Sequence, residues 1–315
     1  MVAYLLRRFG VSLVVVVGIS MLIFVLLHTI SASPGRAVLG VHASPSSVAA
    51  FNHDHGYDRI LPLQYVSYVN SLLHGDLGYS YKLNQSVGAL LQENVGRSAL
   101  LTAVALVLAV VIAIPLGILQ ALRRNTVADN VATATAFTLY SIPTFFLALV
   151  LIAIFSLNLA WLPAQASQSS SVLGVLADPA SMVLPVATLT AVSVAAFSRY
   201  MRSSSLDNLA QDYIKVARAK GLSERQVVSR HLVRNSCLPI ITLVGLSLPA
   251  LLAGNLIVET VFNFPGLGLL FFNSLQKEDY PVLLAYSLLV GVLTVFGNLI
   301  ADVALAVADP RIRLS

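Results

Sequence analysis

Six stretches of this sequence contain no Asp, Glu, Lys or Arg: Phe9–Ile30, Ser98–Leu122, Val131–Leu157, Ala180–Ser198, Leu238–Val258 and Val282–Ala301. A helix of about 20 apolar residues crosses the hydrocarbon core of a bilayer, and each run meets or approaches that length. A soluble domain carries about a quarter charged residues; only 10% of these 315 residues are charged, and mean hydropathy is +0.83. The expectation is an all-α integral membrane protein with six transmembrane helices, because only helices and closed barrels satisfy their backbone groups in lipid. The first run is longer than the core of a signal peptide, and Ile30-Ser31-Ala32 makes a poor cleavage site, so it is expected to remain as the first helix.

An even number of spans puts both termini on one side. Basic residues split 14 to 5 between the two sides, with eight of them between Arg199 and Arg234, which places both termini and that segment in the cytoplasm. The net charge of +5 then reflects orientation rather than nucleic-acid binding. Residues 1–30 form a tail and first span, and 31–97 an extracytoplasmic cap on the spans. Residues 98–315 form a five-span core with a charged loop at about 199–239.

That loop is patterned. Leu206, Ala210, Tyr213, Ile214 and Ala217 recur at helical spacing and predict one amphipathic helix. Gly221 stands where a helix end favours a left-handed backbone, and Ser223 with Gln226 forms a capping box that opens a second helix, with Pro239 closing the block. A DNA-reading helix–turn–helix is set aside, because both ends of the segment enter the bilayer within a few residues. An ordinary basic loop accounts for the charge but not for a glycine corner followed by a cap, so a docking element is expected.

Other features carry weaker signals. Tyr65, Val66, Tyr68, Val69, Leu72 and Leu73 predict an amphipathic helix lying on the outer surface. His53-Asp54-His55 raises a metal site, but alternate residues share a face only on a strand, and a solvated polar stretch is the default. Pro115 and Pro143 are expected to bend their spans. Gln165–Ser171 reads as a flexible low-complexity loop, and Trp161 as an interfacial anchor. Glu259 and Phe264, at a Pro-Gly turn after the fifth span, are candidates for an outer gate, with Arg36, Arg59 or Arg97 as partners of the carboxylate. Asp302 is expected to pair with a loop arginine. Cys237, the single cysteine, rules out an intrachain disulfide and reads as a small residue at a helix start.

No phosphate-cradling Gly-x-x-x-x-Gly-Lys-Ser/Thr and no His-Glu-x-x-His occurs, so neither nucleotide hydrolysis nor zinc proteolysis is expected of this chain. Proton-driven carriers place ionisable residues within their spans, whereas these runs have none. The energy is therefore expected from a partner acting through the charged loop. The competing reading is a stand-alone ion- or proton-driven carrier or channel.

Ala217-x-x-x-Gly221, with Arg218-Ala219-Lys220-Gly221-Leu222-Ser223, resembles the EAA loop of binding-protein-dependent ABC importer permeases, although Lys215-Val216-Ala217 stands where Glu-Ala-Ala is usual. Gly75-Asp76-Leu77-Gly78, Glu259 through Gly268, Asp279-Tyr280-Pro281 and Asp309-Pro310-Arg311-Ile312-Arg313 are similar to the dipeptide/oligopeptide/nickel subfamily, and the long segment after the first span to the first of its two permease types. The resemblance implies the type I ABC importer permease fold in a bacterial inner membrane and a non-catalytic subunit for peptide import, with nickel chelates or glutathione as alternative cargo. It implies a second homologous permease, two ATP-binding subunits that carry ATP and Mg, and an extracytoplasmic substrate-binding protein. Tyr213, Val216, Ala217, Arg218, Ala219, Lys220, Gly221, Leu222 and Ser223 would dock on the ATPase. No cofactor, metal or nucleic acid is implied for this chain.

Overall fold

Uncharged runs wind into helices because no other local structure satisfies their backbone groups away from water. The computed structural model describes residues 2–30, 34–39 and 42–308. α1 (Val2–Ile30) leads into two short helices, α2 (Pro34–Leu39) and α3 (Pro45–Asp54), the latter capped by Ser44 with Pro45 in its first turn. α4 (Leu61–Leu73) is the expected surface helix. Its Tyr65 and Tyr68 rings pack on Phe24 of α1, and the Tyr65 hydroxyl is 2.8 Å from Ser20 Oγ. A two-rung hairpin, β1 (Tyr79–Ser80) with β2 (Gln85–Ser86), delivers the chain to α5 (Val87–Leu122), capped by Ser86.

α5 begins eleven residues before the apolar run that predicts it, so the expected boundary at 97/98 falls inside a helix. The added turns are held by packing: Val87, Leu90 and Leu91 are buried against Leu267, Leu270 and Val282. The expected single span Val131–Leu157 is instead two helices bent by 105°. α6 (Val127–Ser141) stops before Pro143, and α7 (Thr144–Leu151) continues into a π-helical stretch, Ile152–Asn158. Proline keeps the preceding residue out of the helical region, and Ile142 is extended. After α8 (Val172–Leu176), α9 (Pro179–Leu209) also overruns its predicted end. The predicted single helix through Leu206 and Ala217 is therefore two, broken at Ala210-Gln211 before α10 (Asp212–Ala219). α11 (Glu224–Gln226), a π-helical stretch (Val227–Leu232) and α12 (Val233–Ser236) return to α13 (Leu238–Ala253), where Pro239 opens the helix instead of closing the block. α14 (Leu256–Val261), α15 (Leu267–Gln276) and α16 (Tyr280–Ala308) complete the order.

Four of the six apolar runs lie within single helices and the third is the bent α6/α7 pair, whereas the expected fifth span, Leu238–Val258, leaves α13 at Gly254-Asn255, where Gly254 has φ +80°, and ends inside α14. Among the described residues three helices are long and apolar enough to cross a membrane, or four if the α6/α7 pair is one span. α5 is the central mast and pairs most extensively with α9. Its buried face is a stripe at four-residue spacing, Ala105, Ala109, Ala113, Gly117 and Ala121. Small residues let helix backbones approach, which is how helices associate where lipid supplies no hydrophobic drive. At Gly117 a β-carbon would stand 2.6 Å from Met201 Cβ and 2.7 Å from the Ser198 carbonyl oxygen.

Candidate functional site

The patterned loop forms a rigid elbow. Tyr213 donates its hydroxyl to Asn208 Oδ1 (2.6 Å), tying α10 to the end of α9. Ile214 and Ala217 are buried with Phe197 and Met201 of α9 and with Val227 and Leu232 of the returning π-helical stretch. At the corner Gly221 has φ +79°; its N–H donates to Arg218 O and that of Leu222 to Ala217 O, the paired bonds of a Schellman motif. The Gln226 side chain accepts the Ser223 N–H at 3.0 Å, completing the capping box. Arg218 spans the corner to Glu224 through bonds of 2.7 and 3.1 Å. That guanidinium holds the Glu224 carboxyl below the usual range, as Lys215 does for Asp212.

Six of the nine expected docking residues are exposed: Val216, Arg218, Ala219, Lys220, Gly221 and Ser223. Ala217 is buried and faces the chain's own core, while Tyr213 and Leu222 are half-buried against it. Val216, 51% exposed, is an outward apolar residue next to Arg218 and Lys220. The elbow therefore has one face locked into the helical core and one face, apolar at its centre and basic at its rim, turned away from it.

The second candidate site is a closed clip. Glu259 is fully buried. Its Oε1 accepts from Ser98 Oγ (2.8 Å) and Asn255 N (3.0 Å), and its Oε2 from Gly268 N (2.7 Å) and Leu269 N (3.2 Å) at the start of α15. The expected pairing with Arg36, Arg59 or Arg97 is not found, because these four donors saturate the carboxylate and α15 turns its positive end toward it. Arg97 bonds Ser169 O and Asn94 Oδ1 instead. Gly254 and Gly266 sit so close that a β-carbon on either would collide with the Glu259 carboxylate. Phe264 is also fully buried, so neither proposed gate residue faces an open passage here. Ser80 makes a similar long-range bond to buried Asp279, bringing the Gly75–Gly78 motif beside Pro281.

The structure also places three further stretches. Gln165–Ser171 is not a free loop: Ala166 N donates to Phe262 O (2.8 Å) and Gln168 Nε2 to Asn263 O (2.8 Å), so the strap is stitched to the turn after α14. His53 and His55 lie at the end of α3 and bond Asp58 and Tyr81 respectively. Among the described residues no group of three or more His, Cys, Asp or Glu is placed to hold a metal. Cys237 sits half-buried between α12 and α13. Arg311 and Arg313 lie outside the described residues, as does the side chain of Asp302. The α5 stripe is a packing surface that no charge or motif marks, although its four-residue spacing is visible in the sequence. Asp129, the carboxylate just before the third apolar run, is buried with no local pattern that signals it.

Residues 113–314 match the family described as the inner membrane component of binding-protein-dependent transport systems, and residues 1–102 match its N-terminal companion. The chain belongs to this family. It is 36% identical to the oligopeptide transport system permease protein AppB of Bacillus subtilis, over 99% of this chain and 100% of that one. It is 33% identical to the dipeptide transport system permease protein DppB of Escherichia coli K12 and 34% identical to the glutathione transport system permease protein GsiC of Salmonella choleraesuis, over 99% of each chain. Among solved structures it is similar to a chain of the MetNI methionine ABC transporter, captured in inward-facing conformations. The TM-score is 0.53 at 17% identity, over 70% of this chain and 96% of that one. The fold is that of a type I ABC importer permease.

Proposed function

We propose that this family member is the permease subunit of an ATP-driven peptide importer in a bacterial inner membrane, with the α10 elbow and both termini in the cytoplasm. A second homologous permease completes the pathway across six spans per chain. An extracytoplasmic binding protein delivers the cargo, and two ATP-binding subunits, which carry ATP and Mg, receive the elbows. The observation that carries this reading is the two-faced elbow. Its inner face is fixed to α9 by Ile214, Ala217 and the Tyr213 bond, so a push on its outer face moves the spans. The names of the relatives, oligopeptide, dipeptide and glutathione, support peptide-like cargo over a nickel chelate.

The test is uptake of labelled di- and tripeptides by proteoliposomes. With ATPase subunits and binding protein present, uptake requires ATP; the permease alone under an ion gradient transports nothing. Ion-driven uptake by the chain alone would replace this reading with the stand-alone carrier. Lys220→Cys labelled only from the side holding the ATPase subunits, and Lys82→Cys only from the other, checks the orientation.

A further inference from the structure

An ion pair between a buried carboxylate and a half-buried arginine lies away from both the elbow's outer face and the Glu259 clip. Asp129, in the first turn of α6, is 2% exposed. Arg202 of α9 grips both of its oxygens, Nε on Oδ1 and Nη2 on Oδ2, each at 2.8 Å. Asn125 N donates to Oδ2 (3.0 Å) and the Thr133 hydroxyl to Oδ1 (3.4 Å), so the same carboxylate fastens the turn between α5 and α6. One helical turn before Arg202, Arg199 lies over the Phe137 ring at 4.1 Å and the Tyr140 ring at 5.2 Å, both on α6. Two arginines of α9 therefore hold α6.

Little else does. Asp129 and Ala136 are the buried residues of α6, while Val127, Val131, Phe137 and Tyr140 are exposed. The same stretch of α9 touches α5 at Gly117, where a β-carbon would stand 2.9 Å from Arg202 N. Seven residues after Arg202, α9 ends and the chain turns into α10. A two-pronged guanidinium–carboxylate contact fixes orientation as well as distance, which a lysine or an apolar contact does not. For stability alone an ion pair on a buried carboxylate is a poor device, because desolvation of Asp129 offsets the attraction.

We infer that Asp129 and Arg202 are a positioning pair that makes the head of α6 move with the elbow. Displacement that α10 passes to α9 through the Tyr213–Asn208 bond is thereby carried on into the bent α6/α7 pair. This rests on the coupling role proposed for α10.

Spin labels at Val131→Cys on α6 and Lys215→Cys on α10, in a Cys237→Ser background, report the linkage in the full importer complex reconstituted in lipid nanodiscs. With the native pair, the distance distribution is narrow and keeps its centre with and without ATP. Asp129→Asn broadens it and makes its centre depend on ATP. In unlabelled proteoliposomes the same change raises ATP hydrolysed per peptide imported about tenfold, within the usual range of coupling between sites. Arg202→Lys, which keeps the charge but loses the fork, falls between, and the exchanged pair Asp129→Arg with Arg202→Asp restores part of the narrow distribution. A purely structural pair would lower the amount of assembled complex and leave the distance and the ratio of the assembled fraction unchanged; that result overturns the inference. If Asp129→Asn does not assemble, Arg202→Lys decides by the same two readouts. Failure of the coupling role is distinguishable: in the native-pair complex, the mobility of the Lys215 label would then be indifferent to the ATPase subunits.

Discussion

Gly221 and Glu259 are constrained for opposite reasons. Nothing lies within 4 Å of a β-carbon built on Gly221, so a side chain there has space, but φ of +79° disfavours one. The cost is conformational, about 1–2 kcal/mol for a residue with a β-carbon, and smaller for Asn. Gly221→Val is expected to insert normally yet hydrolyse more ATP per peptide imported, with Gly221→Asn closer to the native ratio. Identical ratios in proteoliposomes would show that the corner angle does not matter. Glu259 has no spare space and four donors aimed at its oxygens. Glu259→Gln places an NH2 among N–H groups and loses hydrogen bonds to a charged acceptor, each worth about 1.5–3 kcal/mol. The expected result is a lower unfolding temperature in detergent, with Glu259→Ala lower still because it also leaves Ser98 and three amides without an acceptor. An unchanged temperature for Glu259→Gln would count against the clip.

At the scale of elements, the elbow was the most legible part of the chain, because its signals are local. A Schellman glycine and a capping box work through residues three to five apart, so Gly221, Ser223 and Gln226 announced their geometry. Helix ends were less legible. An uncharged run ends at its first charged residue, yet α5 and α9 continue past Arg97 and Arg199 with Val87, Leu90, Leu91 and Met201 buried against residues distant in the chain. Ser223→Ala is expected to cost about 1 kcal/mol of local stability, read as faster amide exchange across Glu224–Val227. The Arg218–Glu224 pair adds a pH dependence. Because the folded carboxyl titrates below its ordinary value, its contribution is fully present above about pH 5 and fades as the pH falls through the lowered value. Amide protection at the corner is expected to be level from pH 6 to 8 and to decline in acid. Arg218→Gln should flatten that decline.

At the scale of the molecule, the apolar helices were legible from composition and their packing was not. Ser98 meets Glu259 across 161 residues, and Arg202 meets Asp129 across 73. No periodicity in either partner encodes such a pairing. The α5 stripe is an intermediate case: its spacing is visible, but its partner, α9, is not. Gly117→Ala tests the crossing. Its new methyl meets backbone as well as Met201, so α5 and α9 must separate, at a cost of about 1–3 kcal/mol. The expected readout is a lower unfolding temperature, while Gly10→Ala on α1, with nothing within 4 Å, leaves it unchanged.

The two buried carboxylates at the far end of the chain, Glu259 and Asp279, each depend on a hydroxyl supplied much earlier, by Ser98 and Ser80. A ribosome feeding this protein into the bilayer therefore releases the donors first and the acceptors last. A fragment ending near residue 250 carries only hydroxyls in waiting, which water or their own helix can serve. A fragment beginning there carries two acids that each lack a hydroxyl partner, with Glu259 left to the Asn255, Gly268 and Leu269 amides alone. Expressed separately, the front half should persist and the back half should be cleared, and co-expression should rescue the second far more than the first.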